Sequence, residues 1–124
     1  MSHHDQSFVQ TMLAAWNAHD VEGAMALMTH DCLWEIPRGV EPHGTLFSGS
    51  TEVRAGIANA FRSMPDVHYE SIHSCVGADH VVMELLVTGT LADGTPAKFH
   101  ACDVLTMRDG KISEKRSYRK VVER

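Results

Sequence analysis

The sequence predicts a single α+β domain, in which three helices from the first half of the chain pack on one curved antiparallel sheet. Three observations indicate this arrangement. Apolar residues recur at helical spacing before Pro65, β-rich stretches dominate after it, and two glycine-containing turns at 92–94 and 109–110 separate the last three of those stretches. A sheet covered by helices on one face buries the apolar surfaces of both, which is an α+β architecture. At 124 residues the chain predicts one domain over 1–124 with one core.

Three helices are predicted. The first spans 6–18, where apolar residues recur three and four apart. Asp20 is expected to cap a short second helix, and Ser50 or Thr51 a third that Pro65 ends. The positions expected to face inward are Val9, Met12, Leu13 and Trp16, then Val21, Ala24, Leu27 and Met28, then Val53, Ile57, Ala60, Phe61 and Met64.

The segment between the second and third helices is predicted to be a strand followed by a loop. Cys32–Ile36 is rich in β-forming residues, and Pro37 is expected to stop that strand. Glycines and a further proline over 37–49 predict a long irregular loop. The β-rich stretches that follow, predicted as an antiparallel meander, lie at about 67–76, 81–91, 96–107 and 111–121.

Charge and cysteine usage exclude several classes of protein. Eleven Lys and Arg stand against sixteen Asp and Glu, and no long run of like charge occurs, so neither nucleic acid nor a membrane is expected as a partner. Cys32, Cys75 and Cys102 are widely spaced, which argues against a disulfide framework or a zinc knuckle. With no signal-peptide pattern and no apolar stretch of about 20 residues, the expected location is cytoplasmic.

Motifs for nucleotide cofactors, for covalent hydrolase chemistry and for metal binding are missing from the sequence. It contains no glycine-rich phosphate loop, no Gly-x-Ser-x-Gly elbow and no histidine pair at metal-ligand spacing. We therefore expect a protein that works without a cofactor and without a metal.

Four short segments resemble a known superfamily. They are Trp16–Asp20, Thr29–Cys32, His43-Gly44 with Gly49, and Cys102-Asp103-Val104 running into Arg108–Ile112. In this order, and with this order of elements, the chain resembles the cone-shaped fold of nuclear transport factor 2, ketosteroid isomerase, SnoaL-like polyketide cyclases and limonene epoxide hydrolase. The resemblance covers nearly the whole chain and implies a pocket for a small organic ligand. That fold hosts enzymes, binding proteins and partner-docking modules, so the reaction must be argued from the site.

Residue by residue, the resemblance to ketosteroid isomerase is partial. The isomerase's base is an Asp directly before a proline on the first strand, and the matching position here is Ile36, before Pro37. The isomerase's tyrosine near the end of the first helix corresponds to Trp16, whereas its second acid corresponds to Asp103. No single position matches the acidic residue that SnoaL-like cyclases use as a base.

The last hairpin decides which polar groups meet. A type I turn with a glycine bulge over 107–110 would place Asp103 opposite Lys115, and a tight two-residue turn would place it opposite Arg116. The resemblance favours the first register. The side chains then expected on the concave face are Phe99, Ala101, Asp103, Lys115, Ser117 and Arg119, joined from the preceding strand by Val82, Glu84 and Leu86.

These residues make a candidate active site. Asp103, Glu84 and Lys115 are the expected catalytic groups, with the two carboxylates sharing a proton beside the lysine and Arg119 nearer the opening. His43 is expected in the long loop at the pocket mouth, either as an acid, a base or a substrate contact or as an exposed loop histidine. The expected substrate-binding residues are Trp16, Trp34, Ile36, His43, Phe61, Leu86, Ser117 and Arg119.

Two hypotheses for function follow. The first is a cofactor-independent enzyme acting by acid–base chemistry on a small hydrophobic carbonyl, polyketide-like or epoxide-like compound, as an isomerase, cyclase, dehydratase or hydrolase. The alternative is a non-catalytic ligand-binding or dimerisation module, which a sealed cavity would favour. A homodimer is predicted through the convex face of the meander, where Val104, Ile112 and Tyr118 are expected.

Overall fold

Three helices and six strands make up residues 6–123, the part of the chain that the structure, a computed structural model, describes. The helices are α1 (Gln6–Asn17), α2 (Val21–Met25) and α3 (Gly49–Ser63). The strands are β1 (Met28–Glu41), β2 (Gly44–Ser48), β3 (His68–Val76), β4 (His80–Thr90), β5 (Pro96–Arg108) and β6 (Lys111–Arg119). They form one curved, unclosed sheet in the order β2-β1-β6-β5-β4-β3. The predicted α+β class is confirmed, although the sheet is mixed because β1 runs parallel to β6.

The helix ends follow local side-chain chemistry. Asp20 caps α2 as predicted, since its carboxylate accepts a hydrogen bond from the backbone N–H of Gly23 at 3.0 Å. Helix α3 begins earlier than predicted, with Ser48 as N-cap. The N–H of Ser48 donates to Glu52 Oε1 at 2.8 Å, which satisfies one amide at the start of the helix. Met28, expected on α2, instead begins β1 and is buried.

The predicted stop at Pro37 and the predicted loop over 37–49 are wrong. Strand β1 continues to Glu41 and pairs antiparallel with β2. Pro37 is tolerated because it lies beyond Glu35, the last β1 residue paired with β6, and inside the irregular stretch of the β1–β2 pairing. Its missing N–H therefore breaks no ladder bond.

Both predicted registers of the last hairpin are wrong. Asp109-Gly110 forms a tight turn with positive φ at both residues, and Arg108 pairs with Lys111. A bulge at Ser113 then shifts β6 by one residue relative to β5.

The bulge changes which side chains share a face. Beyond it, Asp103 lies opposite Ser117, and Lys115 lies opposite Leu105. These four share one face, so Asp103 and Lys115 still meet. On the turn side of the bulge, the even-numbered residues of β6 face the concave side, whereas beyond the bulge the odd-numbered residues do. Ile112 therefore points into the core, with only 1% of its surface exposed. The prediction of Ile112 on the convex face is wrong for this reason.

The end of α1 is tied to strand β3, which is one edge of the sheet. Asn17 Nδ2 donates to the carbonyl of Tyr69 at 2.9 Å, and the N–H of Tyr69 donates to Asn17 Oδ1 at 2.8 Å. One residue pair further out, His19 Nε2 lies 2.7 Å from the carbonyl oxygen of Val67. These bonds fix α1 over the concave face of the sheet.

No helix within residues 6–123 is long and apolar enough to span a membrane.

Candidate functional site

A cavity of about 590 Å³ lies between the concave face of the sheet and the helices. Exposed residues such as Arg38 and Lys98 are part of its lining, so it opens to solvent. Most of its wall is apolar, and the larger such side chains are Trp16, Trp34, Ile36, Phe47, Tyr69, Leu85, Val87 and Phe99. An apolar cleft with a few polar groups is the usual form of a small-molecule site.

Asp103 and Lys115 form a buried ion pair on the cavity wall. Only 6% of Asp103 and 4% of Lys115 is exposed, and Lys115 Nζ lies 3.8 Å from Asp103 Oδ2. Both residues line the cavity. The meeting of this acid and this base on one face, expected from the sequence, is present despite the changed register.

Two indole rings surround the lysine ammonium group. Lys115 Nζ lies 3.8 Å from the ring centroid of Trp16 and 4.5 Å from that of Trp34. The aromatic faces attract the cation and replace part of its lost hydration. Burial nevertheless lowers the pKa of Lys115, and the neighbouring carboxylate of Asp103 opposes that shift.

Ser117 completes this end of the cavity. Trp34 Nε1 donates a hydrogen bond to Ser117 Oγ at 3.0 Å. The serine oxygen is thus used as an acceptor, and its own hydroxyl hydrogen can be donated to another oxygen. Because Ser117 is the strand partner of Asp103, that donor lies beside the carboxylate.

Tyr69 is a site residue that the sequence analysis missed. It lines the cavity, and its ring meets that of Trp16 edge to face with 5.7 Å between centroids. Burial, together with the negative charge of Asp103, raises the pKa of the Tyr69 phenol, which keeps it protonated as a hydrogen-bond donor. Alternation from the buried Val67 along β3 is the sequence signal that could have identified it.

The mouth of the cavity carries two arginines. The Cζ atom of Arg119 lies 3.7 Å from the ring centroid of Phe99, so the guanidinium stacks on the aromatic face. Burial, and then the positive charge of Arg38, lowers the pKa of Arg119. Arg38 belongs to the part of β1 beyond Pro37, where the sequence predicted a loop.

Five of the predicted binding residues line the cavity, namely Trp16, Trp34, Ile36, Ser117 and Arg119. Phe61 lies behind the wall, buried against Trp16 with 5.5 Å between ring centroids. His43 does not reach the cavity; it is an exposed residue of the turn between β1 and β2.

Glu84 and Leu86 face away from the cavity, and their predicted places are wrong. Glu84 pairs with Cys102, whereas Met83 pairs with Asp103 and faces inward. The physical reason is hydrophobic burial: this register directs Met83, Leu85 and Val87 into the core and leaves Glu84 exposed. Asp103 is therefore the one carboxylate among the cavity-lining residues of the described chain.

Residues 6–123 contain no group of three His, Cys, Asp or Glu arranged to hold a metal ion.

The comparisons with known proteins agree with this fold. The chain resembles an uncharacterized cystatin-fold protein from Novosphingobium aromaticivorans, with 30% identity over 91% of this chain and 96% of that one, and a TM-score of 0.75. A SnoaL-like protein of unknown function from Burkholderia thailandensis is 25% identical over 94% of this chain and 93% of that one, with a TM-score of 0.73.

A more distant structure shares the fold alone. A hypothetical protein with a ketosteroid isomerase-like fold from Catenulispora acidiphila, in complex with trimethylamine, is 19% identical over 93% of this chain and 86% of that one, with a TM-score of 0.80. A comparison with curated protein sequences gave no match. Residues 9–115 match the model of the SnoaL-like domain. The chain is therefore a member of the SnoaL-like domain family, within the fold group of nuclear transport factor 2.

Proposed function

We propose that this protein is a cofactor-independent enzyme that transfers a proton on a small, largely apolar carbonyl, polyketide-like or epoxide-like compound. One observation carries the proposal: a buried carboxylate and a buried ammonium group, Asp103 and Lys115, lie together on the wall of an open apolar cavity. Buried ionisable groups that converge on a cleft are characteristic of active sites.

Asp103 is the proposed base. With a carbonyl substrate, its carboxylate would take a proton from the carbon next to the carbonyl, and the electron pair of that C–H bond would form the enolate. Where a C=C bond is conjugated with the enolate, returning the proton to the far carbon of that bond gives an isomer. Attack of the enolate carbon on a second carbonyl carbon instead closes a ring, and the alkoxide formed there takes the proton back from Asp103. Because Glu84 faces outward, Asp103 would both remove and return the proton, without the second carboxylate expected from the sequence.

The enolate oxygen requires hydrogen-bond donors where its charge develops. Lys115 supplies a cation, and Ser117 and Tyr69 supply hydroxyl groups on the same cavity wall. Trp16 and Trp34 hold the lysine in place from two sides. In this arrangement, the ammonium group both neutralises Asp103 in the resting protein and stabilises the oxyanion in the reaction.

Proton exchange tests the proposal without a known substrate. We expect the protein to accelerate exchange of the α-hydrogens of 2-tetralone, a small apolar ketone, for deuterium in D₂O, followed by NMR. Asp103→Asn should slow the catalysed exchange by at least about 10²-fold, the scale of losing a general acid or base. Glu84→Gln is the matched control, since it removes an exposed carboxylate outside the cavity and should leave the rate unchanged.

Two results would count against the proposal. Exchange at the wild-type rate in a folded Asp103→Asn protein would remove Asp103 from the mechanism. Wild-type protein that binds apolar ketones but exchanges none of their hydrogens would instead support the alternative of a ligand-binding module.

Assembly and location are part of the same proposal. A homodimer through the convex face is supported by Tyr118, which is 56% exposed, and by Val104, which lies on the same face. A cytoplasmic location is supported by three cysteines that form no disulfide: Cys32, Cys75 and Cys102.

A further inference from the structure

The charge of the cavity lining is opposite to that of the chain. The whole sequence has sixteen acidic and eleven basic residues. The lining has one carboxylate, Asp103, and four cations: Arg38, Lys98, Lys115 and Arg119. Lys115 is the cation that pairs with Asp103. The other three cations therefore have no carboxylate partner among the lining residues.

The arginines at the mouth are not balanced by acids. Within residues 6–123, no ion pair involves Arg38, Lys98 or Arg119, although other arginines such as Arg54, Arg108 and Arg116 each pair with a carboxylate. Arg119 is also partly buried and stacked on Phe99, which restricts its guanidinium group to the cavity wall.

Two cations held close together at a cleft with apolar walls repel each other and attract an anion. A narrow cleft concentrates this potential because its walls exclude water. A guanidinium group presents parallel N–H donors that match the two oxygens of a carboxylate, and stacking on a ring orients them in advance. The apolar wall below the mouth suits a hydrocarbon body.

We propose that Arg38 and Arg119 bind the carboxylate of an amphipathic organic acid whose apolar ring system fills the cavity toward Trp16 and Trp34. This rests on the proposed function in taking the cavity as the substrate site, and it narrows the substrate to an aromatic or alicyclic carboxylic acid. The carboxylate stays at the mouth and takes no part in the proton transfer at Asp103.

Isothermal titration calorimetry with two matched probes tests the site. 2-Naphthoate and 2-naphthamide have nearly the same shape, and only the first is charged at pH 7.5. We expect naphthoate to bind at least about tenfold more tightly, because charge-assisted hydrogen bonds are the stronger ones. The preference should shrink as salt is raised, since the arginines are partly exposed.

Substitutions at the cavity mouth test which residues cause the preference for naphthoate over naphthamide. Arg38→Gln and Arg119→Gln should each reduce it severalfold, and the double variant should bind both probes equally. Arg62→Gln is the matched control, because Arg62 is exposed on α3 and does not line the cavity. Arg119→Lys, which keeps the charge and guards against loss of the stacked side chain, should keep part of the preference.

Equal binding of the two probes to the wild-type protein, or no binding of either, would overturn the inference. So would a preference that survives in the double variant. These results are separate from those of the exchange experiment. A protein that exchanges 2-tetralone hydrogens without preferring naphthoate keeps the proposed function and loses this site, and the reverse result keeps this site and loses the function.

Discussion

The buried ion pair allows a quantitative test of how this interior is balanced. Asp103→Asn and Lys115→Met each remove one charge while keeping most of the side-chain volume. Each single variant leaves the other charge buried and uncompensated. We expect each to lower the free energy of unfolding by about 3 kcal/mol, and the double variant to lie within about 1 kcal/mol of the wild type.

The magnitude follows from the geometry. With Lys115 Nζ and Asp103 Oδ2 separated by 3.8 Å, their attraction is about 4 kcal/mol at an effective dielectric constant of about 20. The desolvation of both groups offsets much of this gain, which is why removing the pair together costs little. Asp103→Asn should be the milder single change, because Trp16 and Trp34 still face the stranded ammonium group.

Urea unfolding of the four proteins at pH 7 measures the coupling between the two positions. The exposed pair of Arg54 and Glu22, 2.9 Å apart, provides a control cycle in which the coupling should be much smaller, since water screens both groups. Additive losses at Asp103 and Lys115, with the double variant as unstable as the sum of the singles, would refute the view that the two charges compensate each other.

Three further predictions concern other parts of the molecule. Tyr118→Arg would place like charges across the two-fold axis of the proposed homodimer, so light scattering at micromolar concentration should show a monomer for the variant and a dimer for the wild type; a monomeric wild type would end the dimer proposal. Thr90 donates two hydrogen bonds to Asp66, at 2.8 and 2.7 Å, and these lower the pKa of Asp66 below 3.8. A lowered folded-state pKa stabilises the fold above pH 3.8, so Asp66→Asn should reduce the urea midpoint at pH 7, with a difference that shrinks as the pH falls below 3.8. Gly44→Ala should cost at least about 2 kcal/mol, because φ is +85° and the added Cβ would lie 1.9 Å from the carbonyl oxygen of Ile36; an unchanged melting temperature would contradict this.

Local sequence patterns predicted the helices and strands well, because the formation of these elements depends mainly on residues that are close in sequence. The apolar spacing that ends at Trp16 and the cap at Asp20 predicted α1 and the start of α2, and all four strands after Pro65 lie within two residues of their predicted bounds. The fold class and the family followed from the order of these elements.

Long-range pairing was harder to predict, because a single inserted residue changes the face of every side chain beyond it. Nothing in the sequence marks Ser113 as a bulge, and this bulge places Ile112 in the core. Glu84 was predicted to face inward from strand alternation and the family resemblance, but its apolar neighbours Met83 and Leu85 are the residues buried on that face. The site was therefore predictable where composition and alternation agreed, as at Asp103, and not where they conflicted.

The hydrogen bonds between α1 and β3 also affect what happens between molecules. An edge strand with free N–H and C=O groups is a template on which strands of other chains can add, leading to aggregation. Here the side chain of Asn17 occupies both main-chain groups of Tyr69, and His19 covers the carbonyl of Val67. The helix that closes the cavity thus also blocks the start of the exposed edge, so a substitution such as Asn17→Leu would open a site for intermolecular strand addition as well as loosen the pocket.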